Sequence, residues 1–145
     1  GRVEPVLAVC FDGLGYGPDG TLWGGEFLVT DLAGFRRLGH LRPIVMPGGA
    51  AAIREPWRVA ASWLATACGA AVAAERLTAV DRRAAAVVEL AEHEHGPTTT
   101  AVGRLFDGVA VLLGGRPPSR RQLARNPHPT LPTSTCLPKY CSFRL

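Results

Sequence analysis

Asp12 stands at the end of a short valine-containing apolar run, Pro5 to Phe11 (PVLAVCF), and heads the block DGLGYGPDG. Glycines follow at 13, 15, 17 and 20. A strand running into such a block has two uses. Its glycines can let backbone N–H groups close around phosphate oxygens, with the strand-end carboxylate holding a phosphate-bound cation or orienting a water. Equally, the block can be a hairpin turn that needs positive φ. The spacing is neither a Walker A loop nor a dinucleotide fingerprint, so the residues alone leave both uses open. Gly24-Gly25, followed by Glu26, lie in the next extended run, where paired glycines signal a bulge or a close backbone approach. A second candidate is Arg54-Glu55 after Gly48-Gly49: an arginine ahead of a helix can clamp an anion, or simply pair with its neighbour. A third is Gly103, Arg104 and Asp107. Gly103 and Asp107 are four apart on one helix face, where they can admit a ribose or base edge or serve close packing and a solvated ion pair.

The remaining chemistry-bearing residues point nowhere specific. His93 and His95 flank Glu94 near an expected helix end, and His40 and His128 have no partner at ligand spacing. Cys10 and Cys68 lie in apolar stretches and read as buried thiols. Cys136 and Cys141 form no C-x-x-C pair, so neither zinc nor a disulfide framework is indicated.

The elements that must position these residues are legible in outline. Pro5–Phe11, Thr21–Asp31 and Phe35–Ile44 read as three successive strands with short links, an antiparallel meander, the first of them buried. Helix follows. Glu55-Pro56 opens one, with Trp57, Ala60, Ala61, Leu64 and Cys68 on its apolar face and Gly69 at its end. A second pattern spans 70–91, with Leu77, Val80, Ala84, Val87 and Ala91 in line. A third begins after Gly96-Pro97, capped by Thr98, Thr99 or Thr100. Its apolar stripe is Val102, Leu105, Phe106, Val109, Leu112 and Leu113, and Gly114-Gly115 stops it.

Charge divides the chain at the same place. The net charge is +4 over 145 residues. Residues 1–115 hold 10 Arg against 12 acidic residues, or −2, and residues 116–145 hold five Arg, Lys139 and no acid, or +6. Six of the 12 prolines fall in that last segment. Basic charge confined to a Pro-rich tail, without interleaved aromatics on a folded face, argues against nucleic-acid binding. The tail itself is expected to be irregular. Arg54, Arg58, Glu75 and Asp81 interrupt the most apolar region, so no run reaches the roughly 18 residues of a membrane span. No signal peptide is evident, and a cytoplasmic location is expected by default.

In order, VLAVCFDGLGYGPDGTLWGGEFLVTDLAGFRRLGHLRPIVMPGGAAAIREPWRVA and TTTAVGRLFDGVAVLLG resemble the C-terminal carbamoyl-transfer domain of the hydrogenase-maturation carbamoyltransferase (HypF) family over residues 5–114. The blocks FDG-x-GYG-x-DGT-x-WGGEF and PGG-x-AA-x-REPWR carry the resemblance. It implies an α/β (α+β) chain forming part of one lobe of an actin-like ATPase (ribonuclease-H-like) fold, similar to the universal tRNA threonylcarbamoyladenosine transferases. Residues 1–115 would be a partial carbamoyl-transfer domain, and 116–145 a Pro/Arg-rich tail attributable to a frame change near Gly115. The implied activity is ATP-dependent transfer of a carbamoyl group, through a carbamoyl-adenylate, to the C-terminal cysteine of a HypE-like partner protein in nickel–iron hydrogenase maturation. Asp12 would be catalytic. Gly13, Gly15 and Gly17 would line the nucleotide's phosphates, with Gly24, Gly25, Glu26, Arg54 and Glu55 nearby and Gly103 and Asp107 facing the nucleoside. ATP is the implied cofactor. A metal ion also belongs to the family, but its paired-histidine ligands are absent from this sequence. Leu14 stands where the family has threonine and Ala50 where it has aspartate. The chain is therefore expected to be a fragment, inactive alone. Two other readings remain: a split nucleotide-binding subunit that needs a separate partner chain, and an interaction protein that uses its basic tail. Neither a membrane nor a nucleic-acid partner is expected.

Overall fold

The computed structural model describes residues 4–115. Three strands open the chain: β1 (Val6–Tyr16), β2 (Leu22–Thr30) and β3 (Phe35–His40). They pair antiparallel in succession, as the alternation predicts, with Val6 opposite Thr30 and Thr30 opposite Phe35. The first link turns through Gly17–Thr21, closed by the Gly17 N–H on Thr21 O at 2.9 Å, with Gly20 at φ 78°. Asp19 holds this turn: its carboxylate accepts from the Thr21 N–H, the Thr21 hydroxyl and the Trp23 indole.

The rest of the sheet departs from the expected third strand. Phe35–His40 ends at a turn, and a separate two-residue strand, β4 (Ile44–Val45), pairs with β5 (Thr98–Thr99). β5 in turn runs parallel to β2 at Leu22, so the strand order is β1-β2-β5-β4 with β3 also on β2. Of the threonines expected to cap the last helix, Thr98 and Thr99 thus build the sheet instead, because their extended, β-branched run closes the gap between β2 and β4.

The helices are α1 (Ala50–Arg54), α2 (Trp57–Cys68), α3 (Ala70–Thr78), α4 (Ala84–Glu92) and α5 (Val102–Leu112). α1 was not legible in the alanine run, and the single helix expected over 70–91 is two. The break falls at residues 79–83, where Asp81 takes the Arg83 N–H at 2.8 Å and its side chain besides, a local alternative to the helical ladder. Val80, in line with the core on paper, is consequently exposed. The main core lies among α2, α3 and α4: Trp57, Ala60, Ala61, Ala73, Leu77, Ala84, Val87 and Val88. A smaller cluster joins Ile44, Met46, Ala52 and Val59.

Two expectations about burial fail together. β1 is a sheet edge with Leu7, Val9 and Phe11 at 65%, 53% and 57% exposure, not a buried strand. Cys10, carried on it, is exposed, and so is Cys68 at the end of α2. Most of the apolar stripe of α5 also faces outward: Phe106, Val109, Leu112 and Leu113 are exposed and Val102 and Leu105 half-buried, while Gly108 is buried. α5 meets α2 through Gly108, where an added Cβ would stand 3.4 Å from Ala60 Cα, and Val111 packs against the main core beside it. Hydrophobic periodicity marks a face that wants covering. It does not say by what.

Candidate functional site

Register is lost in β1 between Phe11 and Gly15. Phe11 faces Gly25 and Gly15 faces Trp23, so Asp12, Gly13 and Leu14 together oppose Gly24 alone. This bulge lifts the three residues out of the ladder and turns the Asp12 side chain to solvent. Its Oδ1 accepts the adjoining Gly13 N–H at 2.5 Å.

The glycines around the bulge are required by proximity. A Cβ on Gly24 would stand 2.7 Å from Asp12 O and 2.9 Å from Ala101 Cα; on Gly25, 2.4 Å from Thr100 O; on Gly103, 2.6 Å from Gly13 Cα. On Gly17 it would run into the Trp23 indole. Gly24, Gly25 and Gly103 thus form a seam in which β1, β2 and the entry to α5 meet at backbone distance. Of the two uses left open for the glycine block, the turn's need for positive φ is seen at Gly20 alone among its glycines, while the tight contacts fall on Gly17 and outside the block. The Gly13, Gly17, Gly24 and Gly25 N–H groups already donate within the protein, to Asp12, Thr21 O and, for the last two, Glu26.

Glu26 lies beneath this seam, 2% exposed. One carboxylate oxygen accepts from the Gly24 and Gly25 N–H groups at 3.1 Å each and from the Thr100 hydroxyl. The other accepts the Arg37 Nε at 2.6 Å. Burial raises its pKa, but the bonds from Thr100, Gly24, Gly25 and Arg37 outweigh it and leave the pKa below the usual carboxylate value. Arg37 also reaches Asp19 at 3.1 Å and lies over the Trp23 ring, 4.1 Å from its centroid.

From the other side, Arg104 on the first turn of α5 donates to Gly13 O at 3.2 Å and pairs with Asp107 at 2.7 Å. Desolvation raises the Asp107 pKa, opposed by Arg104. The structure therefore brings together Asp12, Gly13, Gly15, Gly24, Gly25, Glu26, Gly103 and Asp107. Sequence reasoning left out Arg37, Trp23 and Thr100, whose contacts with one another and with Glu26 span 11 to 74 residues of chain and carry no local signature.

Arg54 and Glu55 lie elsewhere. Arg54 is exposed at the last position of α1, three residues ahead of α2. Glu55 accepts from Arg58 at 2.5 Å and Arg83 at 2.7 Å, tying α2 to the α3–α4 turn, and its pKa is lowered chiefly by Arg83 and Arg58. His93 and His95 sit with ring centroids 6.3 Å apart. Among the described residues, no three His, Cys, Asp or Glu side chains gather as metal ligands. No helix among them is long and apolar enough to cross a membrane.

Residues 8–121 match the family described as Carbamoyltransferase, Kae1-like Domain, second subdomain. The chain is 43% identical over 117 residues to Carbamoyltransferase HypF2 of Cupriavidus necator, which covers 80% of this chain and 14% of that protein. It is 44% identical over 109 residues to Carbamoyltransferase HypF of Rhodobacter capsulatus, covering 75% of this chain and 15% of that one. The crystal structure of full-length HypF in its phosphate- and nucleotide-bound form superposes with a TM-score of 0.70 and 32% identity, over 79% of this chain and 15% of that chain. The chain thus spans about a seventh of the length of these relatives.

Proposed function

Since the chain belongs to the HypF carbamoyltransferase family, we propose that it supplies one flank of an ATP site serving carbamoyl transfer to the C-terminal cysteine of a partner protein. The observation that carries this reading is the Asp12 bulge, held against the first turn of α5 inside the segment that matches the family. Asp12 is the exposed carboxylate there. It suits the cation that accompanies nucleotide phosphates, which is held by one or two carboxylates and the phosphates themselves rather than by a dedicated protein cage. The Asp12–Gly15 backbone lines the phosphate side, with Gly17, Gly24 and Gly25 shaping it from behind, and Gly103 and Asp107 lie toward the nucleoside.

The nucleotide supplies activation of the carbamoyl carbon. What these residues do is hold its phosphates and keep the bulge in place. One flank desolvates little of a ligand, so the affinity is weak and the isolated chain does not turn over. Hydrogenase maturation, a carbamoyl-adenylate intermediate and a HypE-like acceptor belong to the same proposal, supported by the family relationship. The 15N-labelled chain titrated with MgATP checks it. The Gly13 and Gly103 amides should move with weak affinity, and Asp12→Asn should abolish the response. A titration that leaves these amides still, or is indifferent to Asp12→Asn, overturns the assignment of Asp12. Micromolar affinity would instead show that the site is self-sufficient.

A further inference from the structure

We infer that Glu26 is a positioning residue, which fixes the Asp12 bulge against α5 from beneath the glycine seam and touches no ligand itself. The inference rests on the nucleotide reading above and assigns Glu26 a different task from contact with nucleotide. With its oxygens engaged by Gly24, Gly25, Thr100 and Arg37, a carboxylate 2% exposed has little capacity left for a ligand.

What it can do follows from where those partners lie. Gly24 backs onto Asp12 O and Ala101, and Gly25 onto Thr100 O, at distances that leave no room for even a methyl group. Thr100 leads through Ala101 directly into α5, whose second residue, Gly103, rests on Gly13. One carboxylate therefore ties both the β2 side of the seam, at Gly24–Gly25, and its α5 side, at Thr100. A shift at Thr100 carries Gly103, and Gly103 carries Gly13 and Asp12. Arg37 extends the tie to the Asp19 turn, so the hairpin end and the helix start are held by one chain of charge-assisted bonds.

Glu26→Gln and Glu26→Ala in the 145-residue chain test this, read by Gly13 and Gly103 amide shifts and by MgATP titration. Asp81→Asn is the control, because it breaks an ion pair remote from the seam. Glu26→Gln keeps an acceptor for Gly24, Gly25 and Thr100 and should stay folded by circular dichroism. Its Gly13 and Gly103 amides should move, and MgATP should bind about tenfold more weakly, the equivalent of one charge-assisted hydrogen bond. Glu26→Ala should be worse in both, and Asp81→Asn should change neither. The proposal is overturned if Glu26→Gln moves only Gly24, Gly25, Thr100 and Arg37 and leaves Gly13, Gly103 and affinity as they were. Should the wild-type chain ignore MgATP, the nucleotide reading fails alone, because the ligand-free Gly13 and Gly103 shifts still decide the role of Glu26.

Discussion

The glycines at 24, 25 and 103 are irreplaceable for a steric reason, the close backbone approach that was one of the readings open for each. The added Cβ meets backbone, not a side chain that can rotate away: Thr100 O at 2.4 Å from position 25, and Gly13 Cα at 2.6 Å from position 103. Gly103→Ala should therefore cost about 1–3 kcal/mol, the range for overpacking a tight contact. Urea denaturation measures it; a neutral Gly103→Ala would mean that the seam is loose. Charge at the residue scale gives a pH dependence. The Asp81 pKa is lowered to about 2, first by the Arg83 side chain and then by its backbone N–H. A depressed carboxylate stabilises the fold above its unfolded pKa of about 3.9, and that stabilisation is lost as pH falls toward the folded value. Between pH 5 and pH 2, on this basis roughly, the wild type should lose more thermal midpoint than Asp81→Asn does. Equal losses would show that the Asp81–Arg83 pair contributes nothing in solution, as exposed pairs sometimes do.

At the scale of elements, the sequence carried the meander, the start and end of α2, and the existence of α5. Each rests on local signals: alternation, a proline in a first turn, a glycine at a helix end. What it hid were pairings between distant segments. Thr98-Thr99 reads equally well as a helix cap or a strand, and only the partner strands at Leu22 and Ile44 decide between them. Asp81 reads as one polar position in a long helical pattern until its carboxylate is seen to accept the Arg83 N–H. The bulge at Asp12–Leu14 needed the register of β2, and Glu26 needed a threonine 74 residues away. The tail, 116–145, lies outside the described residues, and composition alone speaks for it. Its six prolines, charge of +6 and lack of amphipathic period predict no share in the core. Truncation after Gly115 should leave the thermal midpoint nearly unchanged in calorimetry, and an unfolded product would make the tail a structural element.

For the molecule as a whole, large apolar side chains are exposed on the elements that carry the proposed site. The core among α2, α3 and α4 is closed, whereas Leu7, Val9 and Phe11 on β1 and Phe106 and Leu113 on α5 face outward on the two elements that carry Asp12 and Gly103. Exposed apolar area of this kind marks a surface that another body covers, which favours the reading of a subunit or segment that works beside a further lobe. The chemistry agrees. Carbamoyl transfer needs a desolvated, positioned acceptor, and a single exposed carboxylate on a bulge supplies neither water exclusion nor a second face for the reacting group. Given carbamoyl phosphate, MgATP and a peptide ending in cysteine, the purified 145-residue chain should therefore form no thiocarbamate. Mass spectrometry of the peptide, against an enzyme-free control, reads the result directly. Carbamoylated peptide above that control would show that Asp12 and its seam suffice for the transfer, and the one-flank proposal would have to give way to a complete site within these residues.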